Sequence, residues 1–331
     1  MKNRLKPILT KQLKLFKLAQ TRGGFTLIEL LVSMVISFII LGTLLAFLSN
    51  ILNSERREQA KATTELEIQS AINYIADDLQ EAVYIYDADG IAAIKSQLPE
   101  PTATDIPVLV FWKRTFFSKE SQVVLANGTT TRVGCLGKIS DTNDCDEKDY
   151  FGYSLVSYYL IKDNNSEQSN AARIGRIEIK DGIRDPNNSS NYLTNPAPGF
   201  QLFDLTGSGS LKDKMNAWKK DASNPYDPRT NQIETLVDYV DRSTGKQIPL
   251  PENCTTISPN AQLVPATNTI ENSLNTYSFY ACVDSAKNFA QVYLRGNALA
   301  RMNQEAMYSE KRSEYFPIAN VQVKSQVNLI N

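Results

Sequence analysis

Phe25 to Leu48 reads FTLIELLVSMVISFIILGTLLAFL, 24 residues with a single charge, Glu29. At about 1.5 Å per residue a helix of this length reaches roughly 36 Å, enough to cross a hydrocarbon core of about 30 Å. The flank before it is basic. Lys2, Arg4, Lys6, Lys11, Lys14, Lys17 and Arg22 stand in residues 1–24, with no acid among them. The positive-inside rule then places residues 1–24 in the cytoplasm and the long C-terminal part outside. The formal net charge of −1 over 331 residues is thus an average. With +7 on the first 24 residues, the remaining 307 carry −8.

Two simpler readings fit less well. A secretory signal peptide has an apolar stretch of about 7–15 residues and a small-residue cleavage site; this run is longer and no A-x-A site follows. A plain membrane anchor explains the flank and the run, but not an acid at its fifth position directly after Gly23-Gly24. An ionised carboxylate at mid-bilayer costs roughly 2.5–3.5 kcal/mol on insertion scales, and less near an interface. No basic residue within the span can serve Glu29. A cut between Gly24 and Phe25 would create an amine four residues away. One chain's amine could then meet another chain's Glu29 and order helices side by side in lipid, where hydrophobicity alone gives little association.

The run Gly23-Gly24-Phe25-Thr26-Leu27-Ile28-Glu29-Leu30-Leu31 resembles the class III leader junction of type IV pilins and type II secretion pseudopilins. The resemblance implies that a prepilin peptidase cuts after Gly24 and methylates the Phe25 amine, and that Glu29 is the assembly glutamate. It also implies other pilins, an assembly platform with its ATPase, and the membrane as partners. The leader is longer than most pilin leaders. Further on, Tyr74-Ile75-Ala76-Asp77-Asp78-Leu79-Gln80-Glu81-Ala82-Val83 resembles the helix end of PilW-like and J-type minor pilins. The chain length and later segments are similar to hormogonium polysaccharide secretion pseudopilins. The implied fold is α+β, type IV pilin-like: a long N-terminal helix packed on an antiparallel sheet domain.

No proline occurs between Pro7 and Pro99, and Gly42 is the only glycine between Gly24 and Gly90. The helix can therefore continue past the membrane. Ile68, Ile72, Ile75, Leu79 and Val83 recur every three or four residues, an apolar stripe on one helix face. Glu65, Glu67, Asp77 and Asp78 fall largely off it and are expected in solvent. The stripe is too short for a stable coiled coil, so packing onto the chain's own domain is expected, with one helix from Phe25 to about Val83. Gly42 either loosens the helix during assembly, as the resemblance suggests, or permits close helix packing.

The expected organisation is a cleaved leader at 1–24, a membrane and assembly half of the helix at 25–48, an amphipathic half at 49–84, and a β-rich extracytoplasmic domain at 85–331. Strands are expected at 106–112, 153–161, 174–180, 276–283 and 290–295, with a weaker one at 236–240. Between them lie loops rich in Asn, Pro, Ser, Asp and Gly. Helix first and strands after fits an antiparallel sheet covering the stripe.

The chain contains no histidine, which removes Ser-His-Asp and Cys-His catalysis and histidine-ligated metals. All four cysteines lie in the outer part, where disulfides are permitted. Of three connectivities, Cys135–Cys145 and Cys254–Cys282 close the shortest loops. Asp141, Asp144 and Asp146, beside Glu147 and Asp149, are weak calcium candidates without the EF-hand pattern; solvated loop acids are the plainer reading. Gly207-Ser208-Gly209 lacks the phosphate-loop fingerprint and reads as a turn. Tyr84, Tyr86, Tyr158, Tyr159 and Tyr226 are candidates for stacking on sugar, against the usual role of tyrosine in sheet cores.

The function expected is a structural subunit, a minor pilin or pseudopilin, with no enzyme activity and no cofactor. It would support motility, adhesion, or secretion of protein or polysaccharide, and polysaccharide is a candidate further partner. Two alternatives stand beside it. One is a membrane-anchored extracytoplasmic protein that binds or hydrolyses polysaccharide. The other is a DNA-uptake pilin, which the −8 of the outer part disfavours, although Lys212, Lys214, Lys219 and Lys220 could form a basic patch.

Overall fold

The computed structural model describes residues 24–99, 105–138, 145, 147–162, 169–185, 188–227, 231–245, 247–266 and 276–325. The chain divides into two units, Met1–Arg56 and Arg57–Asn331.

Helix α1 runs unbroken from Leu27 to Gln80. Within the first unit its described residues are exposed throughout. The helix contains an apolar stretch long enough to cross a membrane. Within the second unit Ala60, Thr64, Ile68, Ala71, Ile72, Ile75, Ala76, Asp78 and Leu79 are buried. Their spacing traces one helix face, and most of this apolar stripe enters the main core of the domain.

The helix stops at Gln80, short of the Val83 expected from the stripe. Ala82–Ile85 forms strand β1, and the reason is its composition and its neighbour. Val, Tyr and Ile suit a pleated strand, and β1 pairs antiparallel with β2, Asp105–Phe117. Helix α2, Ala88–Ile94, follows at once, capped by Asp87, whose Oδ1 accepts the Gly90 N–H at 3.0 Å.

The remaining strands are β3 (Gln122–Val124), β4 (Thr130–Arg132), β5 (Tyr150–Ile161), β6 (Ala172–Lys180), β7 (Arg184–Asp185) and β8 (Asn188–Tyr192). After the short helix α3 (Leu211–Asn216) come β9 (Glu234–Val240), helix α4 (Cys254–Ile257), β10 (Gln262–Val264), β11 (Phe279–Asp284), β12 (Phe289–Arg295) and β13 (Ile318–Lys324). A five-stranded sheet has the order β1-β2-β5-β6-β9, and a four-stranded sheet the order β10-β11-β12-β13. Every pairing in both is antiparallel. The architecture is α+β, a long helix followed by an antiparallel sheet domain.

Both sheets share one core with α1. From Asp105 to Trp112 every residue of β2 is buried, the mark of a strand covered on both faces. Trp112 makes edge contacts with Phe200, Phe203 and Trp218, at ring separations of 5.9, 5.0 and 5.7 Å. The sheets are also stitched by polar groups. Asn288, in the left-handed conformation between β11 and β12, donates from Nδ2 to the Val83 carbonyl at 2.8 Å. Its Oδ1 accepts the Ile85 N–H at 3.2 Å, so one side chain serves as a partner for the edge of β1. Gly296 lets α1 approach: a Cβ there would lie 2.8 Å from both Ile68 Cγ1 and Thr64 Cγ2.

Candidate assembly segment

Thr26 caps α1. Its Oγ1 accepts the Glu29 N–H at 3.3 Å, and its carbonyl accepts the Leu30 N–H at 3.1 Å. This geometry satisfies donors that the first helical turn otherwise leaves open. Gly24 and Phe25 lie just before the cap, exposed. Residues 1–23 of the expected leader lie outside the described residues.

The hydroxyls of the apolar stretch fold back onto their own helix. Ser33 Oγ donates to the Leu30 carbonyl at 2.9 Å, Ser37 Oγ to the Ser33 carbonyl at 2.8 Å, and Thr43 Oγ1 to the Ile40 carbonyl at 3.0 Å. Such return bonds let a hydroxyl enter lipid without an orphaned donor. Among the described residues, that leaves the Glu29 carboxylate as the one polar side-chain group of Phe25–Leu48 without a partner. It sits in the first turn, where the helix dipole favours a negative charge. The helix passes through Gly42 without a break, and a Cβ there would meet nothing in this chain.

A second charged residue of α1 departs from expectation. Asp78 is buried and not in solvent. It lies beside Ile75 and Leu79 on the stripe edge, a position that helical spacing alone leaves ambiguous. Its Oδ2 accepts Tyr158 OH at 2.6 Å and Arg176 Nε at 2.7 Å, and its Oδ1 accepts Lys113 Nζ at 2.9 Å. These donors come from β5, β6 and β2, so one carboxylate ties α1 to three strands. Glu178 Oε2 takes the Arg176 Nη2 at 2.9 Å. Burial pushes the Asp78 carboxyl up, but the hydrogen bonds from Arg176, Tyr158 and Lys113 outweigh it and hold it below the usual range. The same burial and the nearby Asp78 raise the Tyr158 hydroxyl.

The other candidates separate. Cys135 is bonded to Cys145, and Cys254 to Cys282. Asp141, Asp144 and Asp146 lie outside the described residues. Of the same acidic run, Glu147 pairs with Arg132 at 2.8 Å, and Asp149 accepts the Lys119 N–H at 2.8 Å. Among the described residues, no cluster of Asp, Glu or Cys has a metal-holding arrangement. Gly207 and Gly209 both take positive φ in a turn leading to the capping box Ser210–Asp213 of α3.

Tyr84, Tyr86, Tyr158 and Tyr159 are buried, so their faces are closed to sugar. Tyr226 is half-buried and its OH donates to the Gln97 carbonyl at 2.7 Å. Of the four lysines, Lys219 is exposed and the other three have separate partners. Lys212 pairs with Asp87 at 2.6 Å, Lys214 donates to the Leu205 carbonyl at 2.7 Å, and Lys220 lies over the Tyr226 ring. The expected strands at 106–112, 153–161, 174–180, 236–240 and 290–295 all fall within strands, and 276–283 does so from Phe279. The edge strand β13 lies outside the expected strands, although IANVQVK alternates at period two with Ala319 and Val323 inward.

Among protein families, the prokaryotic N-terminal methylation motif matches residues 20–45. No curated protein and no solved structure matches the chain. The matched residues contain Gly24, Phe25, the Thr26 cap and Glu29, and the match supports a type IV pilin-like leader on this chain.

Proposed function

We propose that the chain is a minor pilin or pseudopilin, a structural subunit of a short membrane-based filament. The observation that carries this is the methylation motif at 20–45, laid over a capped apolar helix whose first turn presents Glu29. In this reading a prepilin peptidase cuts after Gly24 and methylates Phe25. The new amine of one subunit pairs with Glu29 of its neighbour, and the apolar halves bundle. An ATPase-driven platform then lifts the subunit from the inner membrane, with the β domain extracytoplasmic throughout. Such a part does mechanical work and needs no cofactor.

The bulk of the outer domain favours a minor subunit, since a major one must pack at high density. Retention of Glu29 favours a place below the extreme tip. The supported cargo classes remain those of the superfamily: motility, adhesion, or secretion of protein or polysaccharide. The test is processing. Gly24→Val is expected to keep its leader, giving a slower band on a gel than the processed wild type. Normal processing of that variant would refute the assignment.

A further inference from the structure

The last strand of a sheet presents backbone N–H and C=O groups that can pair with a strand of another chain. The two main sheets end in four such edges, β1 and β9 in one, β10 and β13 in the other. Three of them are blunted. Side chains bond β1: Asn288 takes the Ile85 N–H and donates to the Val83 carbonyl, and Ser325 Oγ donates to the Ala82 carbonyl. β9 shifts register twice against β6, and its far end is tied to the segment after β12, where the Asn297 N–H donates to the Tyr239 carbonyl at 2.7 Å. β10 is three residues long.

β13 has none of these devices. Its seven residues, Ile318–Lys324, stand in unbroken register with β12. Just outside them, the Gly296 N–H donates to the Pro317 carbonyl at 2.9 Å and the Ser325 N–H to the Asn288 carbonyl at 3.0 Å. The odd-numbered residues of β13 therefore bond β12, and Ile318, Asn320, Gln322 and Lys324 turn their N–H and C=O groups outward. Among the described residues, nothing bonds this outer row. The side chains of the same four residues are exposed, whereas Ala319 and Val323 are buried.

The edge is also self-complementary. Set antiparallel to a copy of itself about a two-fold axis at Val321, β13 places Asn320 opposite Gln322 and Ile318 opposite Lys324. Every outward N–H and C=O of both copies then meets a partner. Lys324 is the one charge of the strand, and this register carries the two lysines to opposite ends. We propose that β13 is a docking edge for a second copy of this chain, joining two four-stranded sheets across a two-fold axis. The contact involves the outer domain alone and does not depend on Glu29.

The test is cross-linking of the full chain in membranes. The native cysteines are all bonded in pairs, so no native thiol competes. In this register Val321 faces its own copy in a non-hydrogen-bonded pair, with Cα atoms about 4.5 Å apart, within disulfide reach. Val321→Cys is expected to give a covalent dimer on a non-reducing gel after mild oxidation. Asn320→Cys, whose copies stand about 7–8 Å apart, is expected to give several-fold less. Gln322→Pro removes an N–H that β12 does not use, so Tm should hold, and added to Val321→Cys it should abolish the dimer band. If that variant fails to fold, Ile318→Lys decides: it sets lysines opposite each other at both ends and should weaken the band several-fold, while Ile318→Glu should strengthen it. No dimer band from Val321→Cys, a band of another mass, equal cross-linking through Asn320→Cys, or a band that survives both Gln322→Pro and Ile318→Lys overturns the proposal.

Discussion

Glu29 and Asp78 are carboxylates on one helix, and their surroundings differ in every respect that sets a carboxylate's behaviour. Glu29 is exposed, in a first turn whose dipole accepts it, with no partner among the described residues. Asp78 is buried among Tyr158, Arg176 and Lys113. Glu29→Ala is expected to leave processing and folding intact and to lower incorporation into filaments, read by comparing membrane and sheared fractions; a normal filament yield counts against the pairing role. Asp78→Ala leaves Arg176 and Lys113 largely buried, with Glu178 as the remaining close acid of Arg176 and the more exposed Glu81, at 3.4 Å, as that of Lys113. Breaking a buried ion pair this way costs about 3–5 kcal/mol, so thermal melting should fall by roughly 6 °C or more. The pH dependence has a definite sign. The folded Asp78 value lies below its ordinary 3.8, so its contribution is present above that value and lost as pH falls through the lower, folded one. Wild type should therefore lose more stability than Asp78→Asn as pH falls below about 4.

At the scale of elements, α1 is legible from the sequence because nothing interrupts it: no proline, one glycine, and isoleucines at helical spacing. Its end was not legible. Val83 continues the stripe on paper, but β1 gains a strand partner in β2, and pairing with a distant segment outweighs local periodicity. The Asp78 site was hidden for the same reason, since its donors lie 35, 80 and 98 residues away in sequence. Two substitutions test the seam between α1 and the sheets. Ile72 is fully buried, and Ile72→Ala should cost about 2–5 kcal/mol by opening a cavity in the shared core. Gly296→Ala adds a methyl where Ile68 and Thr64 already stand at 2.8 Å, and should cost about 1–3 kcal/mol through overpacking. Denaturant titration reads both; an unchanged midpoint for Gly296→Ala would mean that the helix yields at that point.

For the whole molecule, two disulfides brace a domain whose loops are long and polar. Cys254–Cys282 joins α4 to β11 and closes a 28-residue separation. Removing a link of this kind costs about 2–4 kcal/mol, so Cys254→Ala with Cys282→Ala should melt lower by several degrees. The unreduced, unfolded wild type should take up no alkylating reagent, and free thiols on all four cysteines would contradict both bridges. The charge division, +7 before Phe25 and −8 after Gly24, sets the basic flank apart from the rest of the chain.

By itself, the sequence determined the apolar span, the basic flank, the position of Glu29 and the helix-then-strand order, because each depends on neighbours within a few turns of chain. Only the tertiary structure decided where α1 ends and that Asp78 is an internal anchor. It alone also decided that the named tyrosines are largely core. Those outcomes depend on which distant groups share a low-dielectric interior. Burial and partners set the state of a polar side chain there, and neither can be read from its own stretch of sequence.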